Sequence, residues 1–468
     1  MNSQRNLSSS SLLCSFNGSF DSEDNENKVD SDDEMNYNSS KYKKIAVLTD
    51  LNTIVESVVK IKYIDKIKYY NDYKLIKPLG EGSLCKVKLV EKDNVKYALK
   101  IINKTNLLKK KKFQKDENGK MVVTTPLEGI LREISILKKV NHPNLVKLYE
   151  IMHKEDQSKL YLVLEYCEHG DLMSFNEEKN IFTVNKFIFE KHLKKNNSEK
   201  DIEKVYYTES LIRTFIRQII RGLNYLHRIG VIHKDLKPNN ILLDKDNNCK
   251  IIDFNFSSIL ENRWVDNVGK KVDCNDYFRP AETCDLNDDE GKKEYKGMPV
   301  DIWALGVTAY ILSYKKFPFF SENDLFELYD KIHKADYIVP TKPKRSQHFL
   351  HFLKKCLEKD PNKRITSEKI FYLKWLNIGQ KENLKNQCQR VAKIAPTKNE
   401  IYKNMIFFST SLQDLEKFKD DKRPKVNKIV NQIMEKTKNI GNKKIKIKFK
   451  IKSKSKKDET NKKEDEKK

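Results

Sequence analysis

A chain of 468 residues has room for a domain pair or one large core with tails. Its apolar fraction of 38% is low and its charged fraction of 34% high, so part of it is predicted to stay unfolded. The net charge of +25 raises nucleic acid or acidic lipid as partners, but lysine is spread along the whole chain, which favours a solvated basic surface and no specific nucleic acid.

Residues 1–66 are rich in Ser, Asn and Asp, with an acidic stretch at Asp21–Glu34 and too few apolar residues for a core. They read as a disordered arm. From Tyr73 to about Ile102, short apolar runs separated by turn signals such as Lys92-Asp93-Asn94 predict antiparallel strands. The lysine-rich stretch from Lys109 to about Thr125 interrupts them. Ile130, Ile134 and Leu137 then predict one helix inside a strand-rich lobe, ended by His142-Pro143-Asn144. After the extended run Leu160–Tyr166, a polar segment at about 176–209 reads as a surface insertion. The stripe Ile212, Phe215, Ile216, Ile219, Leu223 and Leu226 opens a mainly helical lobe.

Between two predicted strands lies Leu79-Gly80-Glu81-Gly82-Ser83-Leu84-Cys85-Lys86-Val87, where small residues let backbone N–H groups approach phosphate oxygens. By itself this stretch is equally a hairpin turn. Tyr97-Ala98-Leu99-Lys100-Ile101-Ile102 puts one cation into an apolar strand; it is either an edge lysine in solvent or a buried one that needs an anion, which Glu133 can supply. Val231 to Leu243, with His233, Asp235, Lys237 and Asn240, is followed by Lys250-Ile251-Ile252-Asp253-Phe254-Asn255.

These motifs, in this order, resemble the eukaryotic protein kinases, and the resemblance covers Tyr73 to Leu376. It implies an α+β bilobal kinase fold, with an N-lobe at about 73–165, a C-lobe at about 166–376, and disordered tails at both ends. It further implies ATP and Mg2+ as cofactors: Asp235 as the base that receives the substrate hydroxyl, Lys237 steadying the transferring phosphoryl group, and Asn240 with Asp253 holding the metal. Lys100 would hold the α and β phosphates with Glu133 as its partner. Leu79, Gly80, Gly82, Val87 and Ala98 would enclose the nucleotide. Glu165 and Cys167 belong to the segment facing adenine, and Asp171 is either a ribose contact or a helix N-cap. Pro280-Ala281-Glu282 and Asp301–Gly306 resemble scaffold segments, with Arg364 as partner of Glu282. Lys237 after the catalytic Asp is the serine/threonine form, so protein substrates are implied.

Within the superfamily, Arg132–Leu148, Asp301–Tyr310 and the insertion after Lys100 resemble the calcium/calmodulin-dependent protein kinase kinases, which phosphorylate activation loops of other kinases. The insertion lacks the Arg and Pro richness of that family, and the chain departs from the kinase pattern at three single positions. Asn255 stands for a glycine, Cys85 for a third glycine of the phosphate loop, and Lys234 for an arginine that forks onto a phosphorylated loop. Asn tolerates left-handed backbone, which keeps activity open; a nucleotide-binding scaffold without transfer is the alternative. Phe256–Arg279 contains no threonine; Ser257, Ser258 and Tyr277 are its only phosphorylatable residues, and Asp273 and Asp276 offer fixed negative charge. Activity without loop phosphorylation is therefore expected.

Residues 377–468 form a basic tail. Val426, Ile429, Val430, Ile433 and Met434 make a helical stripe flanked by lysines at about 424–437, a candidate calmodulin-binding helix, or one that docks on the kinase domain or stays unfolded. Lys443–Lys457 reads as a solvated tail, a nuclear signal or an acidic-lipid contact. No run reaches the ~20 apolar residues of a membrane helix, and the eight cysteines include no CxxC pair. A cytoplasmic or nuclear protein without a transmembrane segment is expected.

Overall fold

The computed structural model describes residues 55–82, 85–110, 112–115, 121–153, 158–176, 181–193, 202–260, 274–284, 295–322, 324–334 and 336–380. The candidate calmodulin-binding helix, the basic run after it and the acidic stretch lie outside these residues. The fold is bilobal and α+β, with a sheet-based first lobe and a helical second lobe.

The first lobe is built on one eight-stranded sheet. In chain order its elements are β1 (Val55–Ser57), β2 (Ile61–Ile64), β3 (Ile67–Tyr70), β4 (Tyr73–Glu81), β5 (Cys85–Lys92), β6 (Val95–Asn103), α1 (Lys104–Lys109), the separate hairpin β7 (Lys112–Lys115) and β8 (Met121–Thr124), α2 (Pro126–Leu137), β9 (Leu148–His153) and β10 (Lys159–Glu165). The spatial order of the sheet is β1-β9-β10-β6-β5-β4-β3-β2. The lobe differs from the expected one in two ways. Among the described residues it carries two helices where one was expected, and residues 55–64 of the segment expected to be unfolded are largely strand.

That early segment ties the two edges of the sheet together. β1 runs parallel to β9 at one edge, and a short link later β2 begins the other edge. Asn71 bridges them: it donates its backbone N–H to Lys60 O, accepts from Lys60 N, and reaches Ser57 and Met152 with its amide. Beneath, Val59, Tyr70, Tyr73, Val90, Leu99, Met152, Tyr161 and Val163 form a small core on the outer face of the sheet. The main core lies on the inner face, where Ile130, Ile134 and Leu137 of α2 meet Ile102, Leu160 and Leu162. Pro126 starts α2 and Glu128 accepts from Thr125 N, so the helix entrance is capped.

The second lobe opens with β11 (Gly170–Asp171), β12 (Met173–Asn176) and β13 (Ile181–Val184), then α3 (Lys186–Ile188) and α4 (Glu209–Arg228). The described part of the segment expected as a surface insertion is therefore mostly packed. Phe182, Val184, Ile188, Phe189, Val205 and Tyr207 are buried, and the Tyr207 hydroxyl accepts from Asn185 N and donates to Leu172 O. Polar residues dilute this segment, and these few apolar ones point inward. Short strands β14 (Val231–Ile232), β15 (Ile241–Leu243), β16 (Cys249–Ile251) and β17 (Ser258–Ile259) carry the motif loops, and α5 (Gly297–Tyr314), α6 (Leu325–Lys334), α7 (Gln347–Cys356) and α8 (Lys374–Asn377) complete the lobe. The residues of α5 are buried on all sides, as its nearly continuous apolar text requires.

Candidate active site

Lys100 lies on β6, an interior strand between β10 and β5, and is 8% exposed. Both carboxylate oxygens of Glu133 on α2 stand 2.7 Å from its Nζ. Burial alone would lower the Lys100 pKa, but the Glu133 and Asp253 carboxylates outweigh it and hold the ammonium above the ordinary lysine range. Burial also raises Glu133, against the pull of Lys100. The alternative of a lysine on an edge strand is thereby removed.

Above this pair, β4 and β5 turn over at Gly82, whose N–H donates to Cys85 O at 2.9 Å, with Gly80 opposite Val87. A Cβ on Gly80 would meet nothing within 4 Å, and one on Gly82 only Cys85 O at 3.9 Å; neither residue has positive φ. Among the described residues no contact requires glycine at these places, and the open backbone leaves room for a close approach of phosphate-sized groups. Leu79 is exposed at the rim, while Val87 and Ala98 are half-buried. Ala98 lies opposite Leu164 in the β6–β10 ladder, at the start of the connection between lobes.

In that connection, the Glu165 carboxylate pairs with Lys250 at 2.6 Å and accepts from Lys147 N, so its side chain is engaged by the protein. Cys167 is buried, and burial first of all pushes its thiol up to about 12. Asp171 is in strand β11 opposite Leu242, not at a helix start, which removes the N-cap alternative. Burial raises its pKa to about 6, and Asn185 holds its backbone carbonyl at 2.7 Å.

Below the cleft, between β14 and β15, Asp235 is buried and surrounded by donors. Lys237 Nζ is 3.0 and 2.8 Å from its two carboxylate oxygens, and Asn240 Nδ2 donates to Oδ2 at 2.7 Å and to the backbone carbonyl at 2.8 Å. The loop is held from beneath by Asp301 at the start of α5, which accepts from His233 N at 2.8 Å and Lys234 N at 2.7 Å and pairs with His227 at 2.8 Å. Asp301 is fully buried, and these donors compensate its desolvation. His227 is not legible as a site residue in the sequence; a histidine near a helix end carries no signal of its own.

Asp253 has φ 64, whereas Asn255 is not among the positive-φ residues. The left-handed turn expected to test Asn255 is thus taken by Asp253. The Asn255 carbonyl abuts α2: a Cβ on Gly129 would lie 2.9 Å from it, and Arg132 Nη1 approaches it at 3.5 Å. Gly129 is equally silent in the sequence, since a helical glycine reads only as a weak point. Phe254 is buried and its ring faces the His233 ring at 5.3 Å.

The donor set suits magnesium. Asn240 gives its amide N–H to Asp235, leaving its side-chain carbonyl, and Asp253 offers a carboxylate; hard oxygen donors of this number hold Mg2+ together with substrate phosphates. Among the described residues no cluster of three His, Cys, Asp or Glu could hold a metal on its own. Further out, Arg364 forks onto Glu282 at 2.8 and 2.6 Å.

The protein kinase domain model matches residues 73–376, the span that holds all of these groups. The chain belongs to the protein kinase family. It is 34% identical over 323 residues to a probable serine/threonine-protein kinase of Dictyostelium discoideum, covering 68% of this chain and 40% of that protein. To the serine/threonine-protein kinase ssp1 of Schizosaccharomyces pombe it is 33% identical over 323 residues, covering 67% of this chain and 44% of that one. This kinase chain thus spans less than half the length of these relatives. No helix among its described residues is long and apolar enough to cross a membrane.

Proposed function

We propose that this kinase domain transfers the γ-phosphoryl group of ATP to serine or threonine hydroxyls of proteins, with Mg2+ as metal. The observation that carries the reading is the assembled pair Lys100–Glu133 standing over the Asp235–Lys237–Asn240 cluster. In phosphoryl transfer the enzyme's task is positioning and charge neutralisation, because the transferring group is strongly anionic. Lys100 binds nucleotide phosphates and Glu133 fixes its direction. Asp235 orients the acceptor hydroxyl and takes its proton as the oxygen bonds to the γ-phosphorus and the bond to ADP breaks. Lys237 sets a cation beside that exchange. Bound Mg2+ would neutralise phosphate charge, held by Asn240 and Asp253.

The resemblance of Arg132–Leu148 and Asp301–Tyr310 to the calcium/calmodulin-dependent protein kinase kinases favours a finer role: an upstream kinase whose substrates are activation loops of other kinases. The test is transfer from labelled ATP by the parent chain and by Asp235→Asn, on a generic basic peptide and on an activation-loop threonine peptide. The parent is expected to label the loop peptide preferentially. The variant should lose about 10²- to 10⁴-fold in kcat, as expected for removal of a positioned base. Labelling at the same background level by both proteins would point to the non-transferring scaffold instead.

A further inference from the structure

The outer face of the first lobe, turned away from the nucleotide cleft, carries a cavity of about 340 Å³. It lies between the β2–β3 hairpin and strands β5, β6 and β10, and it reaches the back of the Gly82–Cys85 turn. Four lysines line it, Lys68, Lys86, Lys88 and Lys159, against a single carboxylate, Glu81, which is paired with Lys86 at 2.7 Å. Lys68, Lys88 and Lys159 have no carboxylate within ion-pair distance among the described residues. Lys88 instead donates to the Tyr70 hydroxyl at 3.2 Å, and Lys68 sits 5.3 Å from the Tyr70 ring centroid. Tyr70 and Tyr161 are both about 2% exposed and contribute to the lining, so the cavity has a rigid aromatic side under a cationic rim. Like charges gathered round one cavity repel one another, and an anionic occupant relieves that repulsion.

We infer that this cavity is the docking site of an acidic peptide, and that its occupant is the chain's own stretch Asp21–Glu34. That stretch has eight Asp or Glu residues and one lysine. It is joined to β1 by the 20 residues 35–54, whose greatest reach is about 70 Å at roughly 3.3–3.6 Å per residue. An eight-stranded sheet is roughly 35 Å wide at ~4.8 Å per strand, so the arm reaches the cavity from β1. Tethering supplies a high effective concentration, which lets weak surface ion pairs add up to a seated segment. The alternation of β5 and β6 gives the contact its meaning. Lys86 and Lys88 face the cavity while Val87 between them faces the nucleotide side, and Ile101 and Asn103 line the cavity while Lys100 points to Glu133. A segment seated there stiffens the phosphate loop from behind.

The inference does not require phosphoryl transfer, so binding is its readout. A fluorescent synthetic peptide spanning Asp21–Glu34 is titrated by anisotropy into three full-length proteins: the parent, a variant with the eight acids of 21–34 changed to amides, and that variant also carrying Lys68→Glu and Lys159→Glu. Expected are binding to the amide variant that weakens steeply with salt, roughly tenfold weaker binding to the parent because its own arm competes, and roughly tenfold or greater loss in the lysine-reversed protein. Lys159 is exposed and Lys68 half-buried, so an unchanged thermal midpoint verifies the fold of the reversed protein. Equal binding to parent and amide variant, or no loss on charge reversal, overturns the inference. So does parent binding to phosphatidylserine vesicles or to single-stranded RNA that depends on Lys68 and Lys159 but not on the arm.

Discussion

Gly129 and Asn255 form the contact at which single atoms decide most about this cleft. Glycine inside a helix costs about 1 kcal/mol relative to alanine, yet here the missing Cβ is what lets α2 approach the Asn255 carbonyl. Glu133 is one turn further along the same face of that helix. Gly129→Ala should therefore help the helix and harm the site: the carbonyl is backbone and cannot swing aside, so α2 must move and the Lys100–Glu133 pair must lengthen. A fall of about tenfold or more in kcat/KM for ATP is expected, with a thermal midpoint equal to or above the parent's; unchanged kinetics would show that α2 absorbs the methyl elsewhere. Asp171 gives a second residue-level expectation. Burial raises its carboxyl from 3.8 to about 6, so between those values the folded chain keeps a proton that the unfolded chain has released. The stability tied to this group is full below about pH 4 and is lost as pH rises through about 6. Asp171→Asn removes the dependence, and its unfolding midpoint should gain on the parent more at pH 7 than at pH 4. Equal differences at both pH values would contradict the assignment.

At the scale of elements, the segment 55–72 matters most, because it adds β1–β3 to the two edges of the sheet and brings Val59 and Tyr70 into its outer core, although the family match begins only at residue 73. Val59 and Tyr70 seal Val90, Leu99, Met152, Tyr161 and Val163, and Tyr73 and Ser57 both donate to Glu150. Losing two buried side chains of this size costs roughly 3 to 6 kcal/mol, comparable to the ~5–15 kcal/mol that holds a domain folded. A protein starting at residue 55 should thus unfold in urea close to the full-length chain. One starting at residue 73 should show a much lower midpoint or be insoluble. Coincident unfolding curves would mean that the outer core does not support the lobe.

For the molecule as a whole, the question is how the two lobes are held in a working arrangement. Among the candidate phosphorylation sites, Ser257 is fully buried with its hydroxyl donating to His233 O, and Tyr277 is buried with its hydroxyl on Ser321 O and its ring stacked on Phe317. Only Ser258, paired with Ile232 in β17, is partly exposed. Asp276 is engaged by Arg279 at 3.3 Å and by the Tyr329 hydroxyl at 2.6 Å, and Asp273 lies outside the described residues. With Lys100–Glu133 already closed, activity should need no phosphate on this loop. Treating the purified kinase with a protein phosphatase is expected to leave its rate within about twofold, in contrast to the orders of magnitude lost with a catalytic group; abolished activity would refute this.

The family, the bilobal α+β plan and the candidate site residues Lys100, Glu133, Asp235, Lys237, Asn240 and Asp253 are all legible in the linear text. Phosphate and metal chemistry demands particular side chains at fixed offsets along continuous loops and strands, and such offsets survive without a fold. Packing inside a polar segment has no comparable code. Between residues 176 and 209 the inward-facing Phe182, Val184, Ile188 and Phe189 stand in one short apolar run, 181–189, within Lys-, Asn- and Glu-rich flanks, and a run this short does not by itself tell buried strand from helix or fix what it packs against. Other features exist only once the chain is folded: residues 55–72 closing the outer face of the sheet, Glu165 giving its carboxylate to Lys250, Asp171 sitting in a strand, and Gly129 making room for the Asn255 carbonyl. Each depends on which distant segments meet. A contact between residues 129 and 255 is set by how two packed elements approach one another, and no local spacing along the chain records it.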